Sequence, residues 1–145
     1  MTRAKRLQPV QEIVDDAQRR LASSLATAER RLAESEAKLR ELERYRGEYE
    51  QQFSHSAGRG IGAAALRDYQ AFLARLGEAI RQQQALVQRV RSDRDAEQLR
   101  WQDAAKRAKA LGHVVEQWRT EERRTADRRE QRETDERAQR RVTRS

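Results

Sequence analysis

The chain has 145 residues, of which 39% are charged and 36% hydrophobic, with one proline and no cysteine. This composition suits extended helices better than a compact core, and the lack of cysteine excludes disulfide bonds and thiolate metal sites. No apolar run approaches the roughly 20 residues that span a bilayer, and no apolar signal segment follows the basic first residues. We therefore expect a soluble cytoplasmic protein without a membrane span.

The net charge of the sequence is +8, from 32 basic and 24 acidic residues. This balance favours an acidic partner: a nucleic acid, a membrane surface or an acidic protein channel. Charge alone does not decide among these three. Basic and acidic residues are intermixed along the chain, however, and no basic stripe with interleaved aromatic residues emerges. That pattern argues against nucleic-acid binding.

Two long segments carry apolar residues at alternating steps of three and four, the spacing typical of coiled-coil helices. We call each such row of residues a seam. The first seam comprises Leu7, Val10, Val14, Gln18, Leu21, Leu25, Ala28, Leu32, Ser35, Leu39, Leu42, Arg46, Tyr49 and Phe53. The second seam comprises Leu66, Tyr69, Leu73, Leu76, Ile80, Gln83, Val87, Val90, Arg94, Glu97, Trp101, Ala104, Ala108, Leu111, Val115 and Trp118. Each seam is predicted to cover the other.

Several seam positions depart from a regular apolar row. Near the start of the first seam the alternation slips by one residue, because Val10 stands where Gln11 is expected. Gln18, Ser35 and Gln83 are interpreted as polar residues that fix the register of the pairing at some cost in stability. Arg94 and Glu97, three residues apart on one helix, are close enough to pair with each other.

The sequence divides into five parts in chain order. They are a basic N-terminal end at 1–6, a first coiled-coil helix at 7–54, a glycine-rich turn at 55–64, a second coiled-coil helix at 65–118 and a charged extension at 119–145. The helix is expected to continue past Trp118 and then to fray or become disordered within this extension. Pro9 fits the first turn of a helix, so the first helix is predicted to begin near Gln8. The glycines of the turn can adopt the positive φ angles that a reversal requires. The predicted fold is therefore all-α, with two long helices forming an antiparallel coiled-coil hairpin and a C-terminal extension that is helical or disordered.

Residues suited to catalysis or metal binding do not converge in this sequence. A pair of helices offers no deep pocket, and neither His55 nor His113 has a second histidine at ligand spacing. The stretch Gly58-Arg59-Gly60-Ile61-Gly62 resembles a phosphate-binding loop only superficially, because no strand precedes it and no Lys-Ser/Thr follows. We predict no catalytic residue, no metal and no cofactor.

Two aromatic residues, Tyr45 and Phe72, lie beside the seams rather than in them. With Phe53 assumed opposite Leu66, Phe72 falls near Gly47, whose presence inside a helix suggests a close approach or room for the ring. The aromatic residues either widen the core near the turn or form an exposed patch that docks a partner. The sequence leaves both interpretations open.

Three stretches resemble a known family. The segment LERYRGEY from Leu42 to Tyr49, the turn Gly58-Arg59-Gly60-Ile61 and the stretch YQAFL from Tyr69 to Leu73 are similar to the flagellar type III export protein FliJ family. The resemblance implies a non-enzymatic coiled-coil stalk at the cytoplasmic side of the inner membrane. Its expected partners are the flagellar export ATPase hexamer, whose assembly and activity it promotes, the cytoplasmic linker of the export gate membrane protein, and export chaperones.

The resemblance also implies two binding surfaces. The gate patch, which is expected to contact the export gate, comprises Leu42, Tyr45, Tyr49, Phe72, Leu76 and Ala79. The ATPase end, which is carried over from the position of the rotary ATPase stalk, comprises Arg3, Lys5, Arg6, Trp118 and Arg119. Lys38 and Gln83 stand beside the gate patch where the family pattern has Gln and His. A stalk of a related virulence-type secretion system and an Arg-rich nucleic-acid-binding arm are the alternative functions.

Overall fold

The computed structural model describes residues 2–144 as three helices, α1 (Arg3–Arg6), α2 (Gln8–Ala57) and α3 (Ala63–Arg144). All regular secondary structure among these residues is helical, which confirms the predicted all-α class. α3 includes the charged segment 119–144, for which the sequence left helix and disorder open. Met1 and Ser145, at the two ends of the predicted terminal segments, lie outside the described residues.

The helix ends follow from local chemistry. The Thr2 hydroxyl accepts a hydrogen bond from the backbone N–H of Lys5 and so caps α1. α2 begins at Gln8, as Pro9 predicts, since a first-turn proline loses no hydrogen bond. Residues 58–62 connect α2 to α3, a shorter connection than the predicted turn, and Gly60 adopts a φ of 89°. Glycine has no Cβ to oppose that angle.

Contacts between Cα atoms divide the chain into two compact units. The terminal unit combines Met1–Leu21 with Trp101–Ser145, and its buried apolar residues are Ala4 and Val115. The loop unit is Ala22–Arg100, and its buried apolar residues are Ala28, Leu32, Leu76, Ile80 and Val87. Apart from Ala4, all of these are seam residues, so the seams supply the apolar contacts of both units.

The two seams meet at slightly different positions than predicted. Phe53 stacks on Tyr69, with ring centroids 3.5 Å apart, whereas Leu66 is 42% exposed, so the assumed pairing of Phe53 with Leu66 is wrong. The predicted proximity of Tyr49 to Tyr69 is confirmed by a centroid separation of 5.4 Å. The contact between Phe53 and Tyr69 stacks two flat rings face to face. It buries more apolar area than a contact between Phe53 and Leu66 would.

The predicted slip at Val10 is also wrong. Val10 is 44% exposed and Gln11 is half-buried, so the seam passes through Gln11. The sequence of positions Leu7, Gln11, Val14 and Gln18 keeps regular steps of four and three, and regular steps keep a stripe on one side of a helix. The regular helical spacing therefore decides that Gln11 lies in the seam, although Val10 is the more apolar residue.

The loop unit buries one polar pair within its seams. Gln83 and Ser35 are each 7% exposed. The Gln83 side-chain amide donates to the Ser35 backbone carbonyl at 2.9 Å, and the Ser35 hydroxyl donates to the Leu32 carbonyl at 2.9 Å. Each buried donor thus has an acceptor, which removes most of the penalty for taking these groups out of water.

Gly47 does not accommodate Phe72, contrary to the sequence-based interpretation. A Cβ atom added at Gly47 would meet no atom within 4 Å, so the residue faces open space.

We expect Gly47→Ala to raise the free energy of unfolding by about 1 kcal/mol, because alanine restricts the unfolded chain and favours a helix interior. Urea unfolding followed by circular dichroism measures this. Gly60→Ala, at positive φ, is expected to lower stability instead; a loss of stability in Gly47→Ala would refute the assignment of free space.

Candidate functional site

Five aromatic side chains form a connected cluster in the loop unit. On α2, Tyr45, Tyr49 and Phe53 recur every four residues and therefore share one face. α3 contributes Tyr69 and Phe72, three residues apart. The ring centroids of Tyr49 and Phe72 lie 4.3 Å apart, those of Tyr45 and Phe72 lie 5.9 Å apart in an edge-on arrangement, and those of Tyr45 and Tyr49 lie 6.4 Å apart. The cluster joins α2 to α3 next to the connection between them.

The cluster combines packing with exposure. Tyr45 is 48% exposed, while Tyr49 and Phe72 are half-buried. The inner rings extend the core, and the outer face of Tyr45 is open to solvent. Docking of a partner on that face stays a prediction. Partial burial raises the pKa of the Tyr69 phenol above its usual value, and the neighbouring Glu50 carboxylate and Tyr49 raise this pKa further.

The structure places the six residues of the gate patch at different depths. Leu42 and Ala79 are half-buried like Tyr49 and Phe72, and Tyr45 is exposed. Leu76 is only 7% exposed. The surface that a partner can touch is thus formed by the aromatic side chains and the flanks of Leu42 and Ala79, while Leu76 supports them from below.

The ATPase end lies in the terminal unit, where the structure brings two of its residues together. The Arg3 guanidinium carbon lies 4.8 Å from the centre of the Trp118 ring. Arg3 also pairs with the Glu121 carboxylate at 3.1 Å, and the backbone N–H of Ala4 donates to Glu122 Oε1 at 3.3 Å. These contacts hold α1 against α3. Lys5, Arg6 and Arg119 are exposed.

The sequence did not identify Glu121 and Glu122 as partners of the N-terminal end. Both follow Trp118 within four residues, and together they are the first acidic pair after the second seam. The sequence offered one indication, an acidic pair that could lie beside the basic N-terminal end. The charged extension contains many other acidic residues, however, so this indication was not specific. Only their contacts with Arg3 and Ala4 in the structure distinguish Glu121 and Glu122 from the other acidic residues.

We expect Arg3→Ala to weaken the attachment of α1 to α3 by about 1 kcal/mol. The substitution removes a cation–π contact with the half-buried Trp118 ring and an ion pair whose two side chains are more than half exposed, so each contributes modestly. Trp118 fluorescence, recorded in a Trp101→Phe background, should shift as the ring gains solvent. Arg19→Ala, which removes an exposed pair with Asp16 in the same unit, serves as the control and should leave the emission unchanged.

The described residues offer little for metal binding or membrane insertion. Between residues 2 and 144, no group of three or more His, Asp or Glu side chains is placed to hold a metal ion. None of the three helices has an apolar stretch of the length and hydrophobicity that crossing a bilayer requires. The surfaces with recognisable binding chemistry are the aromatic cluster and the N-terminal contact with Trp118.

Comparison with known proteins places the chain in a family. The sequence profile described as flagellar FliJ protein matches residues 3–145, nearly the whole chain. No curated protein and no solved structure shows significant similarity to it. The match confirms the resemblance carried by the tyrosines, the glycine turn and the YQAFL stretch. Two long helices that pack through heptad seams agree with a coiled-coil member of that family. The chain therefore belongs to the flagellar FliJ family, whose members are coiled-coil proteins related to flagellar protein export.

Proposed function

We propose that this protein is a non-enzymatic stalk of the flagellar type III export apparatus. It binds the export ATPase hexamer, promotes ring assembly and ATP hydrolysis, links the ring to the export gate and handles export chaperones. The observation that carries the proposal is the family match over residues 3–145. The proposed location is the cytoplasmic side of the inner membrane, peripheral to the flagellar base.

The proposed stalk is an antiparallel coiled-coil hairpin followed by a charged helical extension. Contacts within the loop unit support it, because partners on α3 have rising numbers as those on α2 fall. Phe53 contacts Tyr69, Tyr45 contacts Phe72, and Ser35 contacts Gln83. That order is expected when a short connection reverses the chain.

The gate patch is the proposed contact with the export gate. Support comes from the 48% exposure of Tyr45 beside the half-buried Phe72, since partly exposed aromatic residues dominate many protein interfaces. Tyrosine supplies a large rigid surface at a small cost in side-chain entropy. Gln83 is buried and bonded to Ser35, so it supports the patch from within and does not face the partner.

The ATPase end is the proposed contact with the hexamer. Arg3, Lys5, Arg6 and Arg119 give it a basic surface, and Arg3 is oriented by Trp118 and Glu121. A ligand that binds the assembled ring more tightly than the separate subunits shifts the equilibrium toward the ring by mass action. Stimulation of ATP hydrolysis then needs no chemical group from this chain.

The test measures ATP hydrolysis by the purified export ATPase with and without this protein, together with sedimentation of the mixture. We expect a several-fold higher rate and a shift to a ring-sized species. Arg3→Glu combined with Arg119→Glu should reduce the stimulation, whereas Tyr45→Ala should leave it intact and weaken gate binding. An ATPase that is active alone but neither binds nor responds to the protein would refute the stalk function.

A further inference from the structure

A cavity of about 440 Å³ lies in the loop unit, where the connection between α2 and α3 passes the aromatic cluster. The cluster contributes Tyr49, Phe53 and Tyr69 to its lining. Ile61, in the connection, and Ala65, near the start of α3, also line it. Of these five residues only Tyr49 belongs to the gate patch, and none belongs to the ATPase end. The two proposed binding surfaces therefore do not account for the cavity.

The aromatic rings of this lining are nearly parallel. Phe53 and Tyr69 stack with an interplanar angle of 8° and centroids 3.5 Å apart, and Tyr49 and Tyr69 are inclined by 13° at 5.4 Å. Among residues 2–144, Phe53 contacts no aromatic ring other than Tyr69, so one face of the Phe53 ring has no aromatic neighbour. A further planar ring gains more from such faces and edges than an aliphatic group of similar size does.

The residues that line the cavity are all uncharged, although 39% of the chain is charged. Glu50, Arg59 and Asp68 each adjoin a lining residue in the sequence, but they are exposed and lie outside the lining. A charged group that entered the cavity would lose hydration without an ion pair to replace it. The expected occupant is therefore uncharged.

Two polar side chains of α2, Gln52 and Ser56, also line the cavity. They stand four residues apart and so share one face of the helix. Both are exposed, and neither side chain forms a hydrogen bond within residues 2–144. Each can donate and accept a hydrogen bond. A phenol hydroxyl or an indole N–H on the occupant would therefore find a partner here.

We propose that this cavity binds a tyrosine or tryptophan side chain of another protein. Gln52, Ser56 and Ala65 are exposed, so the cavity is open to solvent. Sites for free small molecules usually enclose roughly 70–90% of the ligand surface. A ring that is carried by a protein gains its missing contacts from the chain on either side of it.

The ring is expected from a different protein, because this chain has few rings to offer. Its three tyrosines all belong to the aromatic cluster, and Trp101 and Trp118 are half-buried. The inference goes beyond the stalk function and does not depend on it.

The probe that tests the inference is N-acetyltyrosinamide, an uncharged model of a tyrosine within a protein. The full chain is isotope-labelled in the methyl groups of its isoleucines, Ile13, Ile61 and Ile80, of which only Ile61 lines the cavity. We expect the probe to shift the Ile61 methyl resonance with a Kd on the order of 1 mM and to leave the other two unchanged. N-acetylleucinamide, which is apolar but not planar, should bind about fivefold more weakly.

Filling the cavity should abolish binding. Ala65→Leu places a larger side chain in it, so the probe should no longer shift Ile61. Ala64→Leu is the matched control, since Ala64 is also exposed on α3 but does not line the cavity, and it should leave the affinity unchanged. Leucine is a strong helix former, so both variants are expected to fold, and circular dichroism verifies this.

Removing the two polar side chains tests the hydrogen bond separately. The wild-type chain should bind N-acetyltyrosinamide about fivefold more tightly than N-acetylphenylalaninamide, which lacks the hydroxyl. Gln52→Ala combined with Ser56→Ala should bring the two affinities together. A preference that persists in this double variant would overturn the role given to these residues.

Equal binding in Ala65→Leu and Ala64→Leu, or equal affinities for the tyrosine and leucine probes, would overturn the inference. A blocked peptide with one tyrosine between alanines should bind at least as tightly as N-acetyltyrosinamide. Loss of binding in that peptide would mean that only a free small molecule enters, which would overturn the assignment to a protein side chain. A dimer in sedimentation whose formation shifts Ile61 would overturn it as well, because a second copy would then occupy the cavity.

Discussion

Replacing Gln83 by Glu is expected to lower the free energy of unfolding by about 3 kcal/mol at neutral pH. Gln83 is 7% exposed, and its amide donates to the Ser35 carbonyl at 2.9 Å. A carboxylate of the same shape has no proton to donate, so two acceptors would face each other inside the seam. The buried charge would also lose its hydration without gaining a partner.

The loss in Gln83→Glu should depend on pH in a defined direction. Burial raises the pKa of the new carboxyl in the folded state above that in the unfolded state, so the folded state binds the proton more tightly. The variant should therefore regain stability as the pH falls through the folded-state pKa. Urea unfolding at pH 7 and pH 5 measures this. Gln84→Glu, at an exposed neighbouring position, should change stability by less than about 0.5 kcal/mol, and an equal loss there would contradict the argument.

Leu76→Ala is expected to lower the free energy of unfolding by about 3 kcal/mol. Leu76 is 7% exposed, and truncating it leaves a cavity between α2 and α3 in addition to the lost apolar transfer energy. Thermal unfolding followed by circular dichroism measures the change. A loss of gate binding in this variant would then report weakened folding as much as a missing contact.

Tyr45→Ala is the matched variant for the gate patch. Tyr45 is 48% exposed and contacts two rings, Phe72 edge-on and Tyr49 at a tilt, so its loss should cost only about 1 kcal/mol of stability. If Leu76→Ala proves as stable as wild type, the packing of the loop unit is not as described. If Tyr45→Ala alone abolishes gate binding in a folded protein, the aromatic face carries the contact.

The seams could be predicted from the sequence because heptad spacing is a direct consequence of helix geometry. Leu32, Ile80, Val87 and Val115 are buried where the pattern puts them. The level at which the seams meet could not be predicted, since it depends on where each helix ends. Leu66 is apolar and correctly spaced, yet it stays exposed because Phe53 pairs with Tyr69.

The sequence predicted which residue types form the candidate site, but not how deeply each of their side chains is buried. Leu76 belongs both to the second seam and to the gate patch, and only the packing of α2 on α3 decides that it is buried. The contact of Arg3 with Trp118 and Glu121 was likewise hidden, because it joins residues more than a hundred positions apart. Periodicity describes one helix at a time and carries no information about such pairs.

The short connection at residues 58–62 has a consequence for how the helices find each other. Both members of the pair come from one polypeptide, so pairing is a first-order reaction whose equilibrium does not change on dilution. A short flexible link holds its two ends at an effective concentration on the order of millimolar. Coiled coils built from separate chains fall apart when those chains become scarce. This chain keeps its helices paired even if a cell makes only a handful of copies.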